Sequence, residues 1–176
     1  MAQALEPASA LVIGAVNVSA GERAIDVATG TGTAAPLAAA RGAHVLGIDT
    51  EPELLALARG RASAGLDVKW VEGDAEALPV ADEHADVVLA VFVAMYAADH
   101  AAAARELVRV LAPRGRLVLA AWTLGSVMAA MGGVIAGSLP LPPPASASQP
   151  NGVTLKPCEY CSRMRERHFS SRRSSI

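Results

Sequence analysis

The chain has little cysteine, and what it has lies near one end. Cys158 and Cys161 are its two cysteines, so residues 1–157 contain no disulfide framework. Long apolar runs are also missing, since the longest, residues 87–98, is well short of the ~20 residues that span a bilayer. No lysine or arginine precedes Arg23, whereas secretory signals begin with basic residues. These absences predict a cytoplasmic protein with no membrane partner.

Positive charge is scarce over most of the chain. Residues 1–152 hold 9 basic and 15 acidic side chains, whereas residues 153–176 hold 6 basic and 2 acidic ones. Because phosphate binding needs a basic face, the acidic body argues against nucleic acid as a partner. A chain of 176 residues with 52% hydrophobic content is sufficient for one domain with its own core.

Strand patterns and helix patterns alternate along the chain. Strands are predicted at residues 24–28, 45–49, 67–71, 86–92 and 115–122. Helices are predicted at residues 5–18, 33–41, about 50–64, and from Asp99 to about Leu111. The short connections indicate an α/β fold, a Rossmann-like, doubly wound and mostly parallel sheet of about five strands. Such a sheet binds its ligands beyond the carboxyl ends of the strands.

The turn after the first strand is the central motif. Its glycines let the backbone approach a ligand closely, and the unpaired amides of the following helix favour a polar group. The stretch from Gly30 to Ala35 fits the dinucleotide pattern Gly-x-Gly-x-x-Gly/Ala, with Asp49 at the expected distance downstream. An NAD-dependent oxidoreductase is therefore one hypothesis, and a tight turn without a ligand is another.

Acidic residues near two strand ends favour a different nucleotide. Asp26 lies inside the first strand, four residues before Gly30, where a dinucleotide site usually has an apolar side chain. A carboxylate there suits a cationic amino group. Asp74 follows the third strand and can accept a hydrogen bond from an exocyclic amine such as that of adenine.

Five motifs in order carry a family resemblance. They are Asp-Val-Ala-Thr-Gly-Thr-Gly (26–32), Gly-Ile-Asp (47–49), Glu-Gly-Asp-Ala-Glu-Ala-Leu-Pro (72–79), Asp-Val-Val-Leu-Ala-Val-Phe (86–92) and Arg-Val-Leu-Ala-Pro-Arg-Gly-Arg-Leu (109–117). The series resembles the class I S-adenosylmethionine-dependent methyltransferases, in particular type 11 small-molecule enzymes related to ubiquinone and menaquinone biosynthesis C-methyltransferases. The resemblance covers about residues 20–124. It implies S-adenosylmethionine as the cofactor and a small molecule as the methyl acceptor.

The resemblance also implies a role for each matching position. Asp26 would hold the methionine amino group, directly or through water, and Asp49 would accept from both ribose hydroxyls. Asp74, with Ala75, would bind the adenine edge. The other implied cofactor-binding residues are Ala28, Thr29, Gly30, Thr31, Gly32, Thr50, Gly73, Val91 and Phe92, of which 29–32 would wrap the methionine and ribose and the last two would flank the methyl group.

Simpler roles stay open at several positions. Asp49 could merely cap the next helix, Asp74 could be a solvated loop acid, and Phe92 and Met95 could belong to the core. His100 follows Asp99 and is interpreted as a helix-start residue rather than a catalytic base. No catalytic residue is assigned, because the cofactor carries its own activation and positioning alone can supply ~7–11 kcal/mol.

The end of the chain departs from the family pattern. Relatives continue past the fifth strand to two further strands, so we expect a truncated or frame-shifted chain that lacks them. Residues 1–138 would form the cofactor-binding domain, and 139–176 a proline-rich linker and a disordered basic tail. Cys158, Cys161 and His168 give three potential ligands where structural zinc needs four, so no metal is expected. The alternative function is a cofactor-binding fragment without turnover.

Overall fold

The structure, a computed structural model, describes residues 2–92 and 97–122. Met95 and the predicted linker and tail, with both cysteines, lie outside these ranges. The elements in chain order are α1 (Ala2–Val16), β1 (Arg23–Val27), α2 (Ala35–Ala39), β2 (His44–Asp49), α3 (Pro52–Arg61), β3 (Val68–Glu72), β4 (Ala85–Val91), α4 (His100–Arg109) and β5 (Leu111–Ala120).

The five strands form one sheet in the order β3-β2-β1-β4-β5, and all of its pairings are parallel. The predicted fold class is thereby confirmed. The register sets Asp26 of β1 beside Gly47 of β2 and Asp49 of β2 beside Glu72 of β3. Strand order reverses between β1 and β4, so the position expected for a ligand is above the carboxyl ends of these two strands.

Both faces of the sheet are covered, which explains why the inner strands are apolar almost throughout. One buried cluster joins the sheet to α1 and α2 and includes Ile13 and Leu89. The other joins it to α4 and to the connection between β3 and β4, and includes Ile48, Leu78 and Leu107. The sheet is therefore packed on both faces, and this packing fixes the positions of the residues at the carboxyl ends of its strands.

Several element boundaries differ from the predicted ones. Helix α1 begins at Ala2 and contains Pro7, rather than beginning near that proline. Helix α2 is confined to residues 35–39, instead of 33–41. Strand β5 starts at Leu111 rather than 115, because a register shift between Ala85 and Val87 accommodates residues 112–115. This irregularity tolerates a proline, which has no N–H for the strand ladder, at position 113.

The start of α4 agrees with the prediction. Asp99 Oδ1 accepts hydrogen bonds from the backbone N–H groups of Ala101 and Ala102, each at 2.9 Å. His100 is the first residue of the helix, as its interpretation as a helix-start residue requires. Within residues 2–92 and 97–122, no helix is long and apolar enough to cross a membrane.

Candidate functional site

The turn after β1 uses backbone conformations that favour glycine. Gly30 and Gly32 have φ values of +57° and +72°, and Ala28 lies in the same left-handed region at +50°. The Thr29 N–H donates to the carbonyl oxygen of Ile48 at 2.9 Å, and the Gly32 N–H donates to that of Thr29 at 3.0 Å. The turn is thus folded over the carboxyl end of β2.

Asp26 lies beneath this turn with 2% of its surface exposed. Its Oδ2 accepts from Thr29 Oγ1 at 2.6 Å and from the backbone N–H of Ala35 at 3.1 Å. Burial raises the pKa of this carboxyl to about 6, against the opposing effect of these hydrogen bonds. The carboxylate therefore connects β1, the turn and the first residue of α2, a structural role that the sequence analysis missed.

Asp49 ends β2 and is 7% exposed. Its Oδ2 accepts from the Gly30 N–H at 2.7 Å, and its Oδ1 accepts from the N–H of Glu51 at 3.0 Å. Glu51 is the residue that precedes α3, so Asp49 does support the start of that helix. Its carboxylate also lies close enough to Asp26 to raise the pKa of the Asp26 carboxyl further.

The connection after β3 places Gly73 and Asp74 next to Asp49. The Gly73 N–H donates to the main-chain oxygen of Asp49 at 3.0 Å. A Cβ at position 73 would lie 2.7 Å from Pro79 and 3.0 Å from Ile48, so this close packing requires glycine. Asp74 is exposed, and its Oδ1 accepts from the N–H of Glu76 at 2.9 Å.

A cleft of about 280 Å³ lies where these segments meet, close to the lower end of the size range of small-molecule sites. Six of the predicted cofactor-binding residues line it: Ala28, Asp49, Thr50, Gly73, Asp74 and Ala75. Among the described residues, Glu76, Ala97 and Ala98 also line it. The sequence analysis missed these three, although Ala97 and Ala98 stand directly before the predicted start of α4.

The remaining predicted residues of the turn lie around this cleft rather than on its wall. Gly30 is bonded to Asp49, Thr29 is buried with Asp26, and Thr31 is half-buried. Gly32 lines a different cavity, of about 490 Å³, together with α1 residues that include Glu6 and Ala10. The turn therefore separates two cavities.

Val91 and Phe92 lie at the carboxyl end of β4, outside the set of residues that line the 280 Å³ cleft. Val91 packs against the core cluster on the α1 side. Phe92 has a φ of +62°, and its N–H donates to the carbonyl oxygen of Ala120 at 2.8 Å. Its ring stacks on Trp122 with centroids 4.7 Å apart. An aromatic pair thus stands at the same edge of the sheet as the cleft.

Comparison with known proteins gives the family. Residues 25–119, more than half of the chain, match the type 11 model described as a methyltransferase domain. An uncharacterised protein of Mycobacterium tuberculosis is 37% identical over 149 residues, which are 84% of this chain and 53% of the relative. A demethylmenaquinone methyltransferase of Thermus thermophilus is 48% identical over 101 residues, which are 56% of this chain and 46% of that enzyme.

The fold agrees with a solved structure as well. The YcgJ protein of Bacillus subtilis superposes with a TM-score of 0.59 and 31% identity, over 63% of this chain and 48% of that one. The chain thus spans about half the length of the relatives named here. The matched residues run from β1 to β5 and contain the turn, Asp49 and the segment after β3. On this evidence the chain belongs to the class I S-adenosylmethionine-dependent methyltransferases, in the type 11 methyltransferase-domain family.

Proposed function

We propose that this chain binds S-adenosylmethionine in the cleft at the ends of β1, β2 and β3 and transfers the methyl group to a small molecule. The contacts of Asp49 carry the proposal. Its side chain is bonded to Gly30 of the turn, and its main-chain oxygen is bonded to Gly73 of the β3–β4 connection. One buried acidic residue that lines the cleft therefore binds both the turn after β1 and the connection after β3.

The donors and acceptors of the cleft suit an adenosine. A ribose offers two hydroxyl donors, and a carboxylate has about four lone-pair positions, so the two backbone bonds of Asp49 leave acceptor capacity. Asp74 adds an exposed carboxylate for the adenine amine. A Cβ at Gly30 would meet no atom within 4 Å, so space is open beside the turn. These observations support the ribose and adenine assignments proposed for Asp49 and Asp74.

For Asp26 we propose a role in holding the methionine end of the cofactor. The carboxyl has a pKa of about 6 and is mostly ionised at neutral pH. Its negative charge lies beneath the turn and favours a cationic amino group on the open side. Both hydrogen bonds of Asp26 go to Thr29 and Ala35 of the chain itself. Asp26 would therefore favour binding of the methionine end by fixing the shape of the turn and by its negative charge.

The proposed chemistry asks little of the protein besides orientation. S-adenosylmethionine supplies an activated methyl group on its sulfonium. The turn and Asp49 fix the position of the cofactor, and Val91 and Phe92 would flank the site of transfer. Such positioning can contribute ~7–11 kcal/mol without a general base. The name of the Thermus thermophilus relative, demethylmenaquinone methyltransferase, supports a small molecule as the methyl acceptor.

Calorimetric titration of the full chain with S-adenosylmethionine, S-adenosylhomocysteine and NAD tests the binding step. We expect saturable binding of the first two and none of NAD. Binding of NAD alone would reverse the proposal in favour of an oxidoreductase. Transfer of a labelled methyl group to a panel of small molecules then separates an enzyme from a cofactor-binding fragment without turnover, because the fragment would bind the cofactor and release no labelled product.

A further inference from the structure

The connection between β3 and β4, residues 73–84, provides one wall of the cleft and contains no helix or extended strand. Its local pairing is a single bridge between Asp74 and Ala77. A segment with so few backbone bonds of its own depends on outside contacts for a fixed conformation. Two residues near the end of α4 make such contacts, although neither lines the cleft.

Arg109, the last residue of α4, uses all five of its N–H donors. Its Nη1 donates to the Val80 carbonyl oxygen and to Asp82 Oδ1, both at 2.7 Å. Its Nη2 donates to the Leu78 carbonyl oxygen at 3.1 Å and to Glu106 Oε2 at 2.7 Å. Its Nε donates to Glu106 Oε1 at 2.7 Å. A single guanidinium thus binds three residues of the connection and one of the helix.

Glu106 completes this contact from the acceptor side. Its Oε2 accepts the N–H of Leu78 at 2.8 Å, so Glu106 and Arg109 together bind both backbone groups of that residue. The hydrogen bonds from Arg109 lower the pKa of Glu106, which keeps the pair ionised at neutral pH. The Leu78 side chain is 5% exposed and packs in the core beside Leu107. The middle of the connection is thereby fixed to α4.

The first half of the connection is attached to the other end of the same helix. Glu76 Oε1 accepts the backbone N–H of Asp99 at 2.9 Å, and Asp99 in turn caps α4. Glu76 and Ala98 both line the cleft. Residues 73–76 therefore follow β3 directly and are held to α4 at Glu76 and at Leu78. Their position depends on both of these attachments.

We propose that Glu106 and Arg109 are positioning residues that hold residues 73–78 in the shape that binds the adenosine part of the cofactor. This inference rests on the proposed function, since it concerns the same cleft. It explains why three donors of one guanidinium bind a surface connection that has no regular structure, while the other two bind Glu106 of α4. Lysine cannot replace Arg109 in this role, because an ammonium has three donors and lacks the planar fork.

Arg109→Lys tests the inference, with Arg116→Lys as a matched control. Arg116 also binds a carboxylate, that of Glu22, and main-chain oxygens, those of Val16 and Asn17. It pairs with Val87 near the start of β4, whereas the cleft lies at the carboxyl ends of the strands. Both variants keep their charge. The measurements are the Kd for S-adenosylhomocysteine, taken at a temperature where each variant is fully folded, the Kd for adenosine, and amide exchange at residues 73–80.

We expect Arg109→Lys to raise both Kd values about tenfold, as outer-shell partners do for the groups that they orient, and to speed exchange at residues 73–80. Arg116→Lys should change both Kd values less than twofold, even if it lowers the melting temperature as much as Arg109→Lys does. Equal Kd values in the two variants overturn the inference and leave the proposed function intact. Wild-type protein that binds neither ligand overturns both.

If Arg109→Lys does not fold, Asp82→Ala gives the same test in a milder form. Asp82 is exposed and provides one of the five acceptors. Its loss should raise Kd two- to threefold and speed exchange at residues 78–82. No change in either quantity overturns the inference.

Discussion

The Asp49 carboxylate accepts the backbone N–H of Gly30 at 2.7 Å, a contact between the last residue of β2 and the turn after β1. Nineteen positions separate these residues in the chain. The contact closes the turn over the sheet and fixes a carboxylate that lines the cleft. Loss of the Asp49 side chain should therefore affect both the turn and the binding of a ligand.

Asp49→Ala should weaken binding of S-adenosylhomocysteine by about 1.5–3 kcal/mol, because a charged acceptor of the ribose hydroxyls is lost. Calorimetric titration measures this directly. Asp67→Ala is the control, since Asp67 is an exposed carboxylate paired with His44. Unchanged affinity in Asp49→Ala would remove the ribose assignment, whatever happens to stability.

Asp26 should make stability depend on pH in the opposite sense to most carboxylates. Its pKa is about 6 in the folded protein, against a reference value of 3.8. The folded state therefore binds this proton more tightly than the unfolded state does. The favourable contribution of Asp26 to the free energy of unfolding is complete below pH 4 and is lost as pH rises through 6. At 1.36 kcal/mol per pKa unit, the loss is about 3 kcal/mol.

Asp26→Asn removes this ionisation while keeping an acceptor for Thr29 and Ala35. The free energy of unfolding of the variant, minus that of the wild type, should rise by a few kcal/mol between pH 4 and pH 8. Denaturant titrations at several pH values give this difference, in which the contributions of other groups cancel. A difference that stays constant across the range would show that burial does not shift this carboxyl.

The two glycines of the turn should respond differently to alanine. Both have positive φ, which costs about 1–2 kcal/mol for a residue with a Cβ. At Gly32 the new Cβ would also lie 2.7 Å from Trp70 and 3.0 Å from Ala58, whereas nothing lies within 4 Å at Gly30. Gly32→Ala should thus lose about 1–3 kcal/mol more stability than Gly30→Ala in urea denaturation. Equal losses would contradict the close packing at Gly32.

Ala28→Gly should stabilise the protein. Ala28 has a φ of +50°, and removing its Cβ relieves about 1–2 kcal/mol, against about 0.5–1 kcal/mol of added chain entropy in the unfolded state. Thermal melts should show a higher melting temperature, while Ala24→Gly, in the buried part of β1, should lower it. A lower melting temperature for Ala28→Gly would indicate that packing of the Ala28 methyl group stabilises the protein by more than the strained backbone conformation costs.

The sheet and the edge of it that carries the cleft could be predicted from the sequence because the signals are local. The apolar strands, Gly30, Gly32 and the cap at Asp99 each follow from a short stretch of residues. Strand β5 could not be placed correctly, because its start at Leu111 depends on pairing with Ala85, far away in the chain. The local pattern predicts a helix to about Leu111 and a strand only from residue 115.

Part of the cleft lining could be predicted for the same reason, because Asp49 ends a strand and Gly73 and Asp74 directly follow one. The structural use of Asp26 depends on where the N–H of Ala35 lies, and the roles of Glu106 and Arg109 depend on a packed connection with no periodicity. Such contacts between distant segments have no pattern in a single sequence.

Trp122, which stacks on Phe92, and Trp70 lie in different surroundings at the edge of the sheet. The chain contains two tryptophans, and Trp70 lies against Gly32 and Gly47 while Trp122 lies against Phe92. Each indole therefore reports optically on a different part of the sheet edge. Intrinsic fluorescence of variants that retain one tryptophan each would distinguish a ligand that moves the glycine turn from one that disturbs the end of β4.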